Sequence, residues 1–228
     1  ETGLRAHTIH YFLQRLKERG VLVGPVPYIN PCALGYTNYS LNFSLAAQTQ
    51  ELRRKIIDRF LKSERVAWLA QYGGEYQYGA SLCVRNLEEV SVFLNDLTKN
   101  FGSIFHQKSI SGCVSFTSFG RKYLWPEYKN IKAFVRRREG DISMVDEIDH
   151  RILGSMANLQ FSSLRDLSRQ TGVPFSTLER RVKRLETSGI ICGYLYRVSL
   201  LDYGVQRYRL IIDCRGYSNE LAKKFYQF

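Results

Sequence analysis

Residues 143–193 read SMVDEIDHRILGSMANLQFSSLRDLSRQTGVPFSTLERRVKRLETSGIICG, and the punctuation of this stretch decides the fold. Ser143, with Asp146 three residues on, resembles a capping box, and Val145, Ile148, Ile152 and Met156 recur behind it at helical spacing. Ser163 with Asp166 opens a second, shorter helix carrying Leu164 and Leu167. Thr171-Gly172 ends that helix, because glycine accepts the left-handed backbone a helix end wants. A third helix starts at about Pro174, turns Leu178, Val182 and Leu185 inward, and stops at Ser188-Gly189. Three short helices with a glycine turn before the third predict a helix-turn-helix.

With its apolar stripe packed away, the third helix offers Ser176, Thr177, Arg180, Arg181 and Arg184, with Lys183 at the edge. Such a face suits base edges and phosphates in a DNA groove. The competing reading is a solvated charged face on a structural helix. Ser163 and Arg165 stand where a helix-turn-helix touches phosphates, or serve as a plain cap and a surface arginine.

The stretch has a partial twin. At a constant offset of 169, residues 1–59 match residues 170–228 without gaps at thirteen positions, among them Gly3, Gly20, Gly24 and Gly35 against Gly172, Gly189, Gly193 and Gly204. The apolar face repeats too, with Ile9, Leu13 and Leu16 standing for Leu178, Val182 and Leu185. A tandem duplication cut at both ends is expected, two full units making roughly 310 to 340 residues. In the first copy the outward positions hold His7, Thr8, Tyr11, Phe12 and Arg15, with Gln14 for Lys183, so this copy either reads DNA weakly or faces a protein partner, the plainer alternative being a second ordinary DNA reader.

Between the twins lies a mixed region. Tyr39, Leu41, Phe43 and Leu45 alternate with polar residues as a half-buried strand, and residues 50–62 read helical. Val66 to Tyr72 and Tyr76 to Val84 read as a hairpin turning at Gly73-Gly74. Leu87, Val90, Phe93, Leu94 and Leu97 mark a helix, and Ser103 to Phe119 a last strand region. The order βαββαβ is ferredoxin-like, so the class is α+β. The expected organisation is an end of a first helix-turn-helix (1–24), a ferredoxin-like domain (25–120), a basic linker (121–142), a second helix-turn-helix (143–193) and the start of a second ferredoxin-like domain (194–228). The linker holds seven basic residues against three acidic, including Arg136-Arg137-Arg138, and reads either as a phosphate-tracking arm or as a tether.

A net charge of +12 and a pI near 9.6 call for a polyanionic partner. With 44% hydrophobic residues the chain buries a real core, and no apolar run approaches a membrane span of about 18 residues. Five scattered cysteines without a CxxC pair predict neither a disulfide framework nor a zinc site, and a reducing cytoplasm is expected. His7, His10, His106 and His150 lack ligand spacing, so no metal or cofactor is expected.

The run VDEIDHRILGSM…SLRDLSRQTGVPFSTLERRVKRLETSGIICGY, followed in the duplicated unit by a ferredoxin-like domain with GGEYQYGASLCVRNLEEVSVFL, resembles the Lrp/AsnC family of transcriptional regulators. The resemblance implies winged-type helix-turn-helix units alternating with effector and oligomerisation domains. It also implies double-stranded DNA and a small amino-acid-like effector as partners, and self-association through the ferredoxin-like domains. By that resemblance Gly74, Glu75, Tyr76, Gln77 and Tyr78 are the candidate effector contacts, although Gln77 replaces the family's usual acidic residue and the region also reads as an ordinary hairpin with core tyrosines. Two rivals share the architecture. A siroheme-decarboxylase-like enzyme would need a His/Arg-rich cavity, yet the strands from Val66 to Val84 hold only Arg85 at their margin. A protein-interaction module fits the first copy better than the second. No catalytic residue is expected.

Overall fold

The computed structural model describes residues 3–46, 49–118, 134–137, 142–157, 161, 163–198, 208–212, 216 and 220. Its elements begin with α1 (Ala6–Glu18), β1 (Leu22–Ile29), a 3-10 turn (Pro31–Leu34), β2 (Thr37–Leu45) and α2 (Gln50–Leu61). There follow β3 (Val66–Gln71), β4 (Tyr78–Val84), α3 (Leu87–Phe101), β5 (Phe105–Gly112) and β6 (Ser115–Ser118). The chain continues through β7 (Phe134–Arg137), α4 (Glu147–Ala157), α5 (Leu164–Thr171), α6 (Phe175–Thr187) and β8 (Ile191–Val198). Two compact units divide it, one of residues 1–23 with 197–228 and one of residues 24–196.

The ferredoxin-like domain is an antiparallel sheet in the order β3-β4-β2-β5 with two helices on one face. Alternation along β2 decides which face is covered. Leu41, Phe43 and Leu45 point into the core, where Ile56 and Phe60 of α2 and Val90, Phe93 and Leu97 of α3 meet them. Phe43 stacks on Phe60 at 5.0 Å and on Tyr78 at 5.3 Å. Side-chain caps start both helices, since Thr49 accepts from the Leu52 N–H and Asn86 from the Glu89 N–H.

Two expectations change here. The β3–β4 connection is a loop of residues 72–77 rather than a two-residue turn, closed by the Tyr72 N–H donating to the Gln77 carbonyl at 2.7 Å. Bonds to β2 hold it open: the Ser44 hydroxyl donates to the Glu75 carbonyl, and the Gln77 amide oxygen accepts from the Leu45 N–H. The last strand region splits into β5 and β6, and β6 pairs with β7 (Phe116 opposite Arg136), which lies inside the stretch read as a linker. There the Arg136 guanidinium sits between two rings, 4.7 Å from Tyr28 and 4.6 Å from Phe116, so packing holds this arginine. The rest of 121–142 is outside the described residues except 134–137 and 142.

The segments at the boundaries read at 24 and 194 are paired with each other. Strands β1 and β8 are separated by the same offset of 169 as α1 and α6, and they pair with each other in a two-stranded sheet. The Asn30 N–H donates to the Ile190 carbonyl at 2.8 Å, and Gly24 (φ +124°) faces Leu195, whose carbonyl would lie 2.9 Å from any Cβ placed there. Residues 194–198 lie in β8 of this pair. Most of 199–228 is outside the described residues. No helix among the described residues is long and apolar enough to cross a membrane, and Cys32, Cys83, Cys113 and Cys192 are free thiols.

Candidate nucleic-acid interface

Helices α4, α5 and α6 close on a core of Ile152, Leu153, Met156, Leu167, Val173, Leu178, Val182, Leu185, Ile190 and Ile191, with Val145, Ile148 and Leu164 packed at its edge. The turn between α5 and α6 is built by hydrogen bonds. The buried Thr171 hydroxyl donates to the Leu167 carbonyl at 2.7 Å, Gly172 is left-handed at φ +69°, and the Ser168 hydroxyl reaches over it to the Val173 carbonyl at 2.6 Å. Ser163 caps α5 by accepting from the Asp166 N–H at 3.2 Å, in the role read from the sequence. Helix α6 has Pro174 before its first turn and no side-chain cap, so no capping side chain takes up its leading N–H groups, the kind of helix start that suits an anion.

The predicted contact residues fall into two groups. Ser176, Arg180 and Lys183 are exposed, Thr177 is half-buried, and Arg165 is exposed with its guanidinium 5.8 Å from the Phe175 ring. Arg181 and Arg184 are turned toward α4. Arg181 is only 17% exposed; its Nη1 donates to Asp146 at 2.7 Å and to Asp149 at 2.9 Å. The Arg184 guanidinium bonds the other Asp149 oxygen while the rest of its side chain stays half exposed. Asp149 is fully buried.

Both carboxylates also cap α4. The Asp149 N–H donates to Asp146 Oδ1 at 2.9 Å and the Asp146 N–H to Asp149 Oδ2 at 3.1 Å. The reciprocal box is therefore Asp146/Asp149, which corrects the expected Ser143/Asp146 pair. Helix α4 begins three residues later than that pair required, and the Ser143 N–H donates instead to the Ala33 carbonyl. The sequence reading missed Asp149, although Asp146-x-x-Asp149 against Arg181-x-x-Arg184 carried the signal: a buried carboxylate needs cationic partners.

The Arg181 guanidinium beside Asp146 holds that carboxyl down at about 2, from an ordinary 3.8. A carboxyl whose folded pKa is depressed stabilises the fold above its unfolded pKa and stops doing so as pH falls through the folded one. The denaturation midpoint should fall between about pH 4 and pH 2 in the unaltered chain. Asp146→Asn should flatten that segment of the profile in urea titrations at stepped pH, and an unchanged slope would refute the assignment.

In the first copy, Tyr11 and Phe12 occupy the places of Arg180 and Arg181. They are exposed and form an edge-to-face pair at 5.8 Å, with the Arg15 guanidinium 5.8 Å from the Tyr11 ring. Among the candidate effector residues Gly74 and Glu75 are exposed, Tyr76 and Gln77 are half-buried, and the Glu75 carboxylate accepts from Gln107 at 2.9 Å. Tyr78 is a core side chain stacked on Phe43, which removes it from the set a ligand can reach. Among the described residues no group of three His, Cys, Asp or Glu side chains stands at metal-binding range.

Residues 145–191 match the winged helix-turn-helix DNA-binding family. The chain is 30% identical over 94 residues to the HTH-type transcriptional regulator FL11 of Pyrococcus abyssi, covering 41% of this chain and 61% of that one. The FL11 regulator of Pyrococcus furiosus matches equally, at 30% over 94 residues with the same shares. The chain thus spans about three fifths of the length of these curated relatives. Among solved structures, the siroheme decarboxylase NirDL in complex with an iron-uroporphyrin III analogue superposes with a TM-score of 0.55 at 11% identity, over 86% of this chain and 56% of that one. That likeness is one of fold. AsnC of E. coli superposes over 49% of this chain and 74% of its own at 16% identity, with a TM-score of 0.42. The chain carries a winged helix-turn-helix joined to a ferredoxin-like domain and is a relative of HTH-type transcriptional regulators, in keeping with the Lrp/AsnC resemblance of its sequence.

Proposed function

We propose that this chain is a sequence-specific DNA-binding transcriptional regulator of the Lrp/AsnC type, working in the cytoplasm, that lays α6 in the major groove. The observation that carries this reading is the outward face of α6, where Ser176, Arg180 and Lys183 stand together beside an uncapped helix start on a helix-turn-helix scaffold. Ser163 and Arg165 at the start of α5 supply flanking phosphate contacts. The test is retention of a duplex selected by the protein itself from a random-sequence pool. Arg180→Ala should weaken that binding at least about tenfold, since a lost arginine contact to guanine or phosphate costs about 1–3 kcal/mol. Tyr11→Ala and Phe12→Ala should change it far less. The reverse pattern in folded variants would move DNA recognition to the first copy.

The small amino-acid-like effector belongs to the loop Gly74–Gln77, exposed at Gly74 and Glu75 and tied to β2 through Ser44. Thermal shift against the twenty amino acids should give stabilisation by at least one of them and lose it in Glu75→Ala. Self-association runs through the ferredoxin-like domains, and light scattering reports it. A siroheme-decarboxylase activity is not favoured, because β3 and β4 hold no His or Arg to grip a tetrapyrrole. Added siroheme should therefore leave the absorbance spectrum that of the free compound.

A further inference from the structure

We infer that Arg181, although it lies on the recognition helix, is a positioning residue that sets α6 against α4 and does not touch DNA. This rests on the DNA-binding reading above and divides the labour within it. At about 100° per residue, Ser176, Arg180 and Lys183 lie opposite the buried stripe of Leu178, Val182 and Leu185. Arg181 is different, standing about 60° from Leu178 on the flank of that stripe. Its guanidinium bridges Asp146 and Asp149, the two residues whose N–H groups each donate to the other's carboxylate at the start of α4. One arginine therefore joins the recognition helix to the capping box of the first helix.

The chemistry keeps Arg181 there. Asp149 is fully buried, so swinging Arg181 out to a phosphate would leave an internal carboxylate with Arg184 as its one remaining cationic partner. Arg180 and Lys183 have no such commitment, since both are exposed and free to turn to a polyanion. Arg184 is intermediate, bonded to Asp149 yet half exposed. The specificity-bearing cations of α6 are then Arg180 and Lys183.

Salt dependence separates the two roles, because each phosphate contact adds about 0.9 to the slope of log affinity against log salt, whereas a positioning residue adds none. The probe is the selected duplex, titrated with the full chain at potassium chloride concentrations from about 50 to 200 mM. Arg180→Ala and Lys183→Ala should each make the slope shallower by about one. Arg181→Ala should weaken binding while leaving the slope as in the unaltered chain, and should lower the melting temperature. Should Arg181→Ala not fold, the half-exposed partner serves: Asp146→Ala should also lower melting and affinity at constant slope. Combining the two changes should lower melting no further than the larger of them. A slope reduced by one in Arg181→Ala with unchanged melting, or tighter binding in Asp146→Ala, overturns the inference while the DNA reading stands. A slope near zero in the unaltered chain removes both.

Discussion

Asp149→Ala is expected to destabilise the helix-turn-helix by about 3 kcal/mol, the low end of the range for breaking a buried ion pair. The side chain is fully buried, accepts from two arginines and from the Asp146 N–H, and so satisfies three donors at once. Removing it leaves those donors in a site built for a carboxylate, where each buried donor without a partner costs about 1–3 kcal/mol. Two features keep the loss from growing larger. Arg181 retains Asp146, and Arg184 is half exposed, so its guanidinium is open to hydration. With about 4–8 °C lost per kcal/mol in a small domain, the melting temperature should drop by more than about 10 °C. Asp149→Asn should lose less, since the amide oxygen still accepts while the charge is gone. Differential scanning calorimetry decides the matter. A loss below about 1 kcal/mol would mean that the α4–α6 seam is held by Ile152, Leu178 and Val182 alone.

Much of this unit is legible in the sequence. Leu178, Val182 and Leu185 fall on one side at helical spacing, and Gly172 takes the left-handed turn that only glycine adopts without strain, so α5, α6 and the turn follow from local rules. The roles of Arg181 and Arg184 were not read, although the spacing contained them. Arg181 stands three residues after Leu178 and four before Leu185, within the reach of the buried face. Counting it as outward treated charge as a synonym for exposure, and a paired arginine breaks that equation. Asp149 was hidden for the same reason.

The ferredoxin-like domain shows the complementary limit. The apolar spacing along β2 gave its inner face, Leu41, Phe43 and Leu45, but Asn42 and Ser44 between them are buried as well, so this half of the strand is covered on both sides rather than half-buried. The pairing of β1 with β8 joins segments far apart in sequence, and that of β6 with β7 reaches into a stretch whose basic residues read as a linker, so no local pattern encodes either partner. The 169-residue repeat held a hint of the first pair, since equivalent strands of a duplicated unit have equivalent edges. The hairpin failed differently: two glycines suggested a tight turn, but the Ser44 hydroxyl and the Gln77 side chain hold a wider loop to the neighbouring strand.

The largest effect expected of the whole chain is that of salt on DNA binding. With roughly 4 to 8 phosphates neutralised, the slope of log affinity against log salt should lie between about −4 and −7. A fourfold rise in potassium chloride from about 50 to 200 mM then weakens binding by about 10² to 10⁴-fold. A net charge of +12 sets the direction, and the local arrangement sets where in the range the value falls. Of the four cations from Arg180 to Arg184, Arg181 is consumed by Asp146 and Asp149 and Arg184 is shared with Asp149. Contact is left chiefly to Arg180 and Lys183, with Arg165 and the leading N–H groups of α6 beside them, which favours a slope nearer −4. A value steeper than about −7 would require the clamped arginines, or the basic stretch 121–142, to reach the backbone as well. A value near zero would dismiss DNA as the partner. The outward face of α6 would then be a protein-binding surface, with Arg180 and Lys183 meeting carboxylates instead of phosphates.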